Sequence, residues 1–221
     1  MLLSIQNLSF GWTEHLLFET ISCTLERGQI VLLKGENGSG KTTLLQLICG
    51  MIPHFSRGKI LKGKILIEGQ SIFKEPPKIL FPKIAFIPGK HIDFFLLNEN
   101  LADEILLTRA MMNFTGNHIS NKLQNFKSFF PDFHLFENLP FSHQLPYQKI
   151  LSLLFIYYLQ GANLYLLDEV LKAFTANNNF QNWFNFFEWQ AKHNCGIIFS
   201  SHQIENTKYS VWEIKNNKLL T

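Results

Sequence analysis

The stretch GENGSGKT, Gly35 to Thr42, carries the residue types and spacing that most directly specify chemistry in this chain. It follows the apolar run VLLK and opens a segment with helical periodicity. Glycines so placed let backbone N–H groups close around phosphate oxygens without obstruction by a Cβ. The helix that follows adds partial positive charge at its N-terminus. In such a loop Lys41 reaches the β- and γ-phosphates, and Thr42 ligates magnesium. A glycine-rich turn that binds nothing is the competing reading, but it needs neither a strand before it nor a helix after it. The expected ligand is therefore a nucleoside triphosphate with its magnesium ion, held by Gly35, Asn37, Gly38, Ser39, Gly40, Lys41, Thr42 and Thr43.

Two later stretches would complete such a site. In LYLLDE, Leu164 to Glu169, the apolar residues make a buried strand. Asp168 stands at its carboxyl end, where a carboxylate can hold the magnesium shell. Glu169 can polarise an attacking water, a general-base role worth typically about 10²–10⁴-fold in rate. An apolar strand ending in two acids says little alone; beside the phosphate loop it becomes specific. GIIFSSH ends in His202, which can contact the γ-phosphate or be an ordinary surface histidine after a strand. The catalytic candidates are thus Glu169, His202 and Lys41, and the metal candidates are Thr42 and Asp168.

These residues need elements to position them. Leu3–Leu8, Phe18–Leu25 and Gln29–Lys34 alternate or run apolar between turns, and read as strands. Lys41 to about Gly50 reads as helix, while Lys64–Glu68 and Ile84–Ile87 read as strands on either side of proline breaks at 76, 77 and 82. From Asn100 to about Phe130 the pattern is helical, with Leu101, Ala102, Ile105 and Leu106 as its apolar stripe and Gly116 dividing two helices. A helix from Pro146 to about Gln160 follows. Asn163–Leu167 and Gly196–Ser200 read as buried parallel strands around a helix over Phe180–His193. Val211–Ile214, then Asn216 and Asn217, then Lys218–Leu220 read as a hairpin. Strands first, then strand–helix–strand alternation, give an α/β fold with a mixed sheet and a helical insertion.

Composition sets outer limits. A chain of 221 residues allows one large domain or a core with a subdomain, at roughly 100–200 residues per domain. A formal charge of +3 with no block of Lys or Arg gives nucleic-acid binding little support. Cys23, Cys49 and Cys195 lack metal or redox spacing and read as buried small hydrophobes in a reducing compartment. No Lys or Arg precedes Arg27, which argues against a signal peptide. The longest apolar run, Ile150–Leu159, falls short of the about 20 residues that cross a bilayer. The expectation is a cytoplasmic chain that meets a membrane only through a partner.

On these residues the chain resembles the ATP-binding subunit of ABC transporters over nearly its whole length. GENGSGKTT is similar to that family's phosphate loop, LYLLDE to its magnesium strand and catalytic glutamate, and SSH to its switch histidine. Trp12, in FGW, falls where the family has an aromatic that stacks on adenine, and VWEIKNNKLL resembles its closing strands. The resemblance implies a P-loop NTPase with a RecA-like core, an antiparallel β subdomain and a helical subdomain. Residues 1–88 and 162–221 would be core with β subdomain, and about 89–161 the helical subdomain and signature region. It further implies ATP and Mg²⁺ as ligands, and a homodimer or heterodimer with two ATP molecules between its chains. A transmembrane permease subunit as partner, and a place on the cytoplasmic face of the cell membrane, follow from the same likeness.

The departures from the family pattern are specific. Gly89, in IAFIPGK, stands where the family has a Gln that links the γ-phosphate to the membrane partner. Val170 stands where a Pro usually follows the glutamate, and Thr175 where an Asp reaches across the dimer. QLPYQ, 144–148, falls on the signature, usually LSGGQ, which grips the partner's ATP. Leu145 has no hydroxyl, Pro146 has no N–H and Tyr147 obstructs close backbone approach, so only Gln148 survives. Pro is favoured at the first helical position, so the helix should persist without its phosphate donors. A rival register puts Ser142 in the serine position and restores no glycine.

Three functions compete on these grounds. The first is an ABC transporter ATPase, slow as a homodimer and rescued at one site by a partner with an intact signature. The second is a regulatory subunit that binds ATP with negligible turnover; Glu169 and His202 argue against it. The third, an ABC protein of DNA or ribosomes, lacks the expected coiled coil or second nucleotide domain. The subfamily reading divides between the haem-exporter ATPase of cytochrome c maturation, suggested by LLDEV and SSH, and the energy-coupling importers, suggested by IPHFSRGKILKGKILIEG. Two aromatic stretches stand apart: FQNWFNFFEWQ, 180–190, reads as core with a partner-facing patch as alternative, and DFFLL, 93–97, divides between partner docking and subdomain core.

Overall fold

Alternation decides the outer strands. In the strand Leu16–Leu25 (β2), Ile21, Cys23 and Leu25 are buried while Ser22 and Thr24 are exposed, the period-two pattern of a half-buried antiparallel strand. The computed structural model describes residues 1–12, 16–54, 59–75, 81–174, 180–201 and 208–221. β2 pairs antiparallel with Leu3–Gly11 (β1), which pairs antiparallel with Lys59–Ile67 (β4); the short strand Gln70–Ser71 (β5) completes this sheet in the order β2-β1-β4-β5.

The second sheet has the order β10-β9-β3-β8-β7-β6, with Ile30–Gly35 (β3), Ile84–Pro88 (β6), Leu164–Asp168 (β7), Gly196–Ser200 (β8), Ser210–Lys215 (β9) and Lys218–Leu220 (β10). All its pairings are parallel except the terminal hairpin β9–β10, whose turn residues Asn216 and Asn217 both have positive φ. Asparagine tolerates that region, which is why the pair makes a two-residue hairpin turn. β6, β7 and β8 are buried at every position, as expected of parallel strands covered on both faces.

Successive residues of these strands feed two separate cores. Val31, Leu33, Leu164, Leu166 and Ile198 face the side that holds the helix Lys41–Ile48 (α1) and the antiparallel sheet. Leu32, Tyr165, Leu167, Ile197 and Phe199 face the opposite side. There the helices Gly116–Phe129 (α3), Pro146–Gln160 (α4) and Phe180–Lys192 (α5) pack through Phe126, Phe155, Tyr158, Trp183, Phe186 and Phe187. The core reading of the aromatic helix holds, and it extends to Phe186, whose ring meets Phe126, Phe129, Phe130 and Tyr158.

The helix Leu101–Met112 (α2) departs from its expected stripe. It buries Leu101, Glu104 and Thr108, while Ala102 is exposed and Leu106 is 59% exposed. The cause is Glu104, whose Oε1 accepts the N–H groups of Leu97 and of Asn98, the latter at 2.9 Å. Two backbone donors outrank an aliphatic contact, so the polar face turns inward. Gly116 is the first residue of α3, and the side chain of Thr115 caps that helix. The three cysteines are buried and unpaired, and burial pushes Cys23 and Cys49 to about 12 and Cys195 to about 11, as structural thiols require.

Candidate functional site

The phosphate loop runs from the end of β3 into α1, as strand-loop-helix. Gly40 caps α1 with φ 104, and a Cβ there would lie 2.9 Å from the Phe18 ring, so this position requires glycine. Gly35 and Gly38 also have positive φ, and Asn37 and Gly38 are exposed. Ser39 donates its backbone N–H to the Glu36 carbonyl at 3.2 Å, while its buried Oγ has no hydrogen-bond partner among the described residues. An orphaned hydroxyl in a glycine-rich loop at a helix N-terminus fits a phosphate oxygen as its missing partner.

Lys41 is 5% exposed and folds back on the loop, donating to the carbonyls of Gly35 at 2.8 Å and Glu36 at 2.9 Å. Burial pushes its ammonium down from the ordinary lysine value; the carboxylates of Glu169 and Asp168 oppose that shift and the charge of Lys172 adds to it. Thr43 is half-buried in the first turn of α1. Thr42 turns the other way, and its Oγ1 donates to Asp168 Oδ2 at 2.8 Å. This bond joins residues 126 positions apart, so the two metal candidates meet at the carboxyl end of β7.

Asp168 is 8% exposed, and its other oxygen, Oδ1, accepts from Ser200 Oγ at 2.9 Å. Ser200 stands opposite Asp168 in the β7–β8 register, and its Oγ also accepts the Glu169 N–H at 2.9 Å. A hydroxyl beside a carboxylate is an oxygen donor set suited to a hard cation that keeps phosphate and water among its ligands. Glu169 follows in left-handed backbone, φ 53, and its Oε2 accepts from Lys172 Nζ at 2.7 Å. Spacing alone could have flagged Lys172, three residues beyond the candidate base. Ser200 left no such signal, because its role depends on strand register.

Trp12, 43% exposed, packs edge-on against Phe10 with centroids 5.3 Å apart. Phe10 neighbours Phe18, the residue against Gly40, so contacts run from the tryptophan to the phosphate loop. His202 and Thr175 lie outside the described residues. Gly89 donates its N–H to the Asp168 carbonyl at 2.7 Å, and a Cβ on it would fall 2.7 Å from that oxygen and 2.8 Å from the Glu169 carbonyl. No side chain fits there while β6 and β7 keep this register, so the missing glutamine has a local steric reason.

QLPYQ is likewise specified by local structure. Pro146 is the first residue of α4 and Leu145, 56% exposed, is its cap with no side-chain acceptor. Gln148 Oε1 accepts the Leu145 N–H at 2.8 Å, so the surviving signature residue serves its own helix. Tyr147 turns inward between Phe136 and Phe174, with centroids at 6.2 and 6.3 Å. Gln144 is buried and satisfied by the carbonyls of Phe136 and Leu139 and by Ser152 Oγ.

A cleft of about 890 Å³ connects Thr42, Asp168, Glu169 and Lys172 with Gly89, Phe86 and Phe95. In DFFLL, Phe95 and Leu96 pack on the core, so the core reading holds for them, whereas Phe94 is 80% and Leu97 75% exposed. Among the described residues no helix is long and apolar enough to cross a membrane.

The family model described as "ABC transporter" matches residues 18–172. A cytochrome c biogenesis ATP-binding export protein from Hahella chejuensis is 34% identical over 79 residues, covering 36% of this chain and 35% of that protein. An energy-coupling factor transporter ATP-binding protein from Fusobacterium nucleatum is 27% identical over 105 residues, covering 48% of this chain and 38% of that protein. The chain spans about a third or less of the first curated relatives it matches, 34% and 18% of their lengths. Among solved structures, an ATP-binding subunit of an ABC transporter superposes with a TM-score of 0.83 at 21% identity, over 99% of this chain and 88% of that one, a likeness of fold.

Proposed function

Because this chain belongs to the ABC transporter family, we propose that it is an ATP-binding subunit that hydrolyses MgATP to drive transport through a separate membrane permease. The observation that carries the reading is the bond between Thr42 and Asp168, which brings the end of the phosphate loop to the carboxyl end of β7 beside Glu169. In this reading residues 89–161 are the helical subdomain and signature region, and the rest is core with its β subdomain.

The backbone N–H groups of Gly35–Thr43 and the Ser39 hydroxyl receive the phosphates, and Trp12 lies against the adenine. Lys41 exchanges its two loop carbonyls for phosphate oxygens, a stronger charge-assisted pairing. Thr42 and Asp168 would hold the magnesium, which when bound neutralises charge on the β- and γ-phosphates. Glu169 takes the proton of a water as its oxygen bonds to the γ-phosphorus. The bond from that phosphorus to the β,γ-bridging oxygen breaks, leaving ADP and inorganic phosphate. His202 is the proposed contact to the γ-phosphate.

The test separates binding from turnover. The Glu169→Gln chain should retain ATP affinity within about threefold and lose hydrolysis by about 10²-fold or more. Loss of binding together with hydrolysis would sink the assignment of Glu169 as base. Since Leu145 lacks a hydroxyl, Pro146 lacks an N–H and the Tyr147 ring obstructs close approach, purified chain alone should turn over slowly. Adding an ABC ATPase subunit with an intact signature should raise the rate at one of two sites. A purified chain that is fully active alone contradicts this account of QLPYQ.

A further inference from the structure

We propose that Lys172 is a positioning residue of the catalytic centre, which holds the Glu169 carboxylate at rest and must release it before water is activated. The inference rests on Glu169 being the general base. Glu169 caps the short 3-10 helix Val170–Ala173 with φ 53 and ψ 24. At about three residues per turn, side chains at i and i+3 of a 3-10 helix eclipse one another, which brings Lys172 over Glu169. Its Nζ donates to Glu169 Oε2 at 2.7 Å.

The backbone beneath this pair is held from two sides. The Glu169 N–H donates to Ser200 Oγ at 2.9 Å, and its carbonyl lies against Gly89. With the main chain fixed, the carboxylate is left only its own rotamers, and Lys172 selects one of them. Lys172 also lines the cleft that contains Thr42 and Asp168, and its charge reaches Lys41. It is thus part of the electrostatics of the site although it lies outside every expected motif.

An ammonium hydrogen-bonded to a carboxylate oxygen occupies a lone pair that could otherwise accept from water. The pair therefore blocks that oxygen and fixes its direction while the site is at rest. A bound triphosphate places a competing anion in the same cleft, which Lys172 lines. Half-exposed ion pairs are modest, so the restraint amounts to about twofold to fivefold in rate.

Steady-state hydrolysis by the full chain tests this with Lys172→Met, which keeps most of the length of the side chain without its charge, and Lys172→Arg, which keeps the charge. We expect Lys172→Met to raise kcat about twofold to fivefold with KM for ATP unchanged within about twofold, and Lys172→Arg to match the parent. Glu169→Gln should silence both backgrounds. An unchanged or lower kcat in Lys172→Met, with Glu169→Gln still silent, overturns the inference and leaves the proposed function standing. Hydrolysis that survives Glu169→Gln overturns the assignment of the base and the inference with it. Acylation of the nucleotide-free chain by N-hydroxysuccinimidyl acetate, read by mass spectrometry, gives a second measure that needs no turnover. Glu169→Gln should raise the labelling rate of Lys172 several-fold while exposed Lys218 is unaffected, because the side chain is no longer held against a carboxylate. Equal labelling of Lys172 in the two chains overturns the pair.

Discussion

Single residues in this chain join segments that are far apart in sequence. Glu68, at the end of β4, accepts from Arg27, from Lys83 at 2.9 Å and from Asn163 at 2.9 Å, so one carboxylate ties the antiparallel sheet to the loops before β3, β6 and β7. The hydrogen bond from Lys83, then that from Arg27, holds it below the usual carboxylate range. A group depressed on folding stabilises above its unfolded value, near 4.3, and that stability is lost as pH falls through the folded value. Glu68→Gln should therefore lower stability by about 1 kcal/mol at pH 7, and the difference should shrink below the unfolded value of about 4.3 and vanish only beneath the depressed folded value. Urea titrations across this pH range check both the size and the sign. The phosphate loop was legible at this scale because its information is local: glycines, Lys41 and Thr42 lie within one short stretch. Glu68 and Ser200 were not, because a carboxylate with three distant donors, or a serine across a strand pair, has no signature in spacing.

At the scale of elements, β6 and β7 approach so closely at their carboxyl ends that a Cβ on Gly89 would meet the carbonyls of Asp168 and Glu169. Gly89→Ala should cost about 1–3 kcal/mol, since the new Cβ meets backbone that cannot swing aside; an unfolding midpoint equal to the parent's would refute the close approach. The start of α4 carries a similar constraint. Returning the signature glycine by Tyr147→Gly removes a ring packed between Phe136 and Phe174 and places glycine in a first helical turn. We expect a loss of about 2–4 kcal/mol in chemical denaturation. The same helix is joined to the segment after β6 by Lys149 and Asp93, 2.6 Å apart. Most strand and helix bounds were legible from alternation and turn signals, but β4 begins at Lys59 rather than the expected Lys64, and the short β5 was not foreseen. The face that α2 buries was not, because Glu104 faces inward to serve two N–H groups, and periodicity counts only apolar residues.

Over the whole molecule, the parallel strands separate two cores, and the long apolar runs in the sequence reflect that double burial. The concentration of Phe in the second half likewise resolves into the packing of α3, α4 and α5 on one face of the sheet. Which segments meet was legible only where a motif implied it; the joining of loop 35–42 to Asp168 needed both motifs, whereas the pairing of β1 with β4 left no mark in either strand. The distribution of tryptophans across this architecture has an optical consequence. Of the four, Trp183 and Trp212 are almost fully enclosed and Trp189 is half-buried, while Trp12 is 43% exposed. Collisional quenching by acrylamide should therefore act chiefly on the emission of Trp12. If adenine stacks there, saturating ATP should shield that emission and Trp12→Ala should abolish the difference, so the protein carries an intrinsic fluorophore that reports occupancy of its own nucleotide site without an added label.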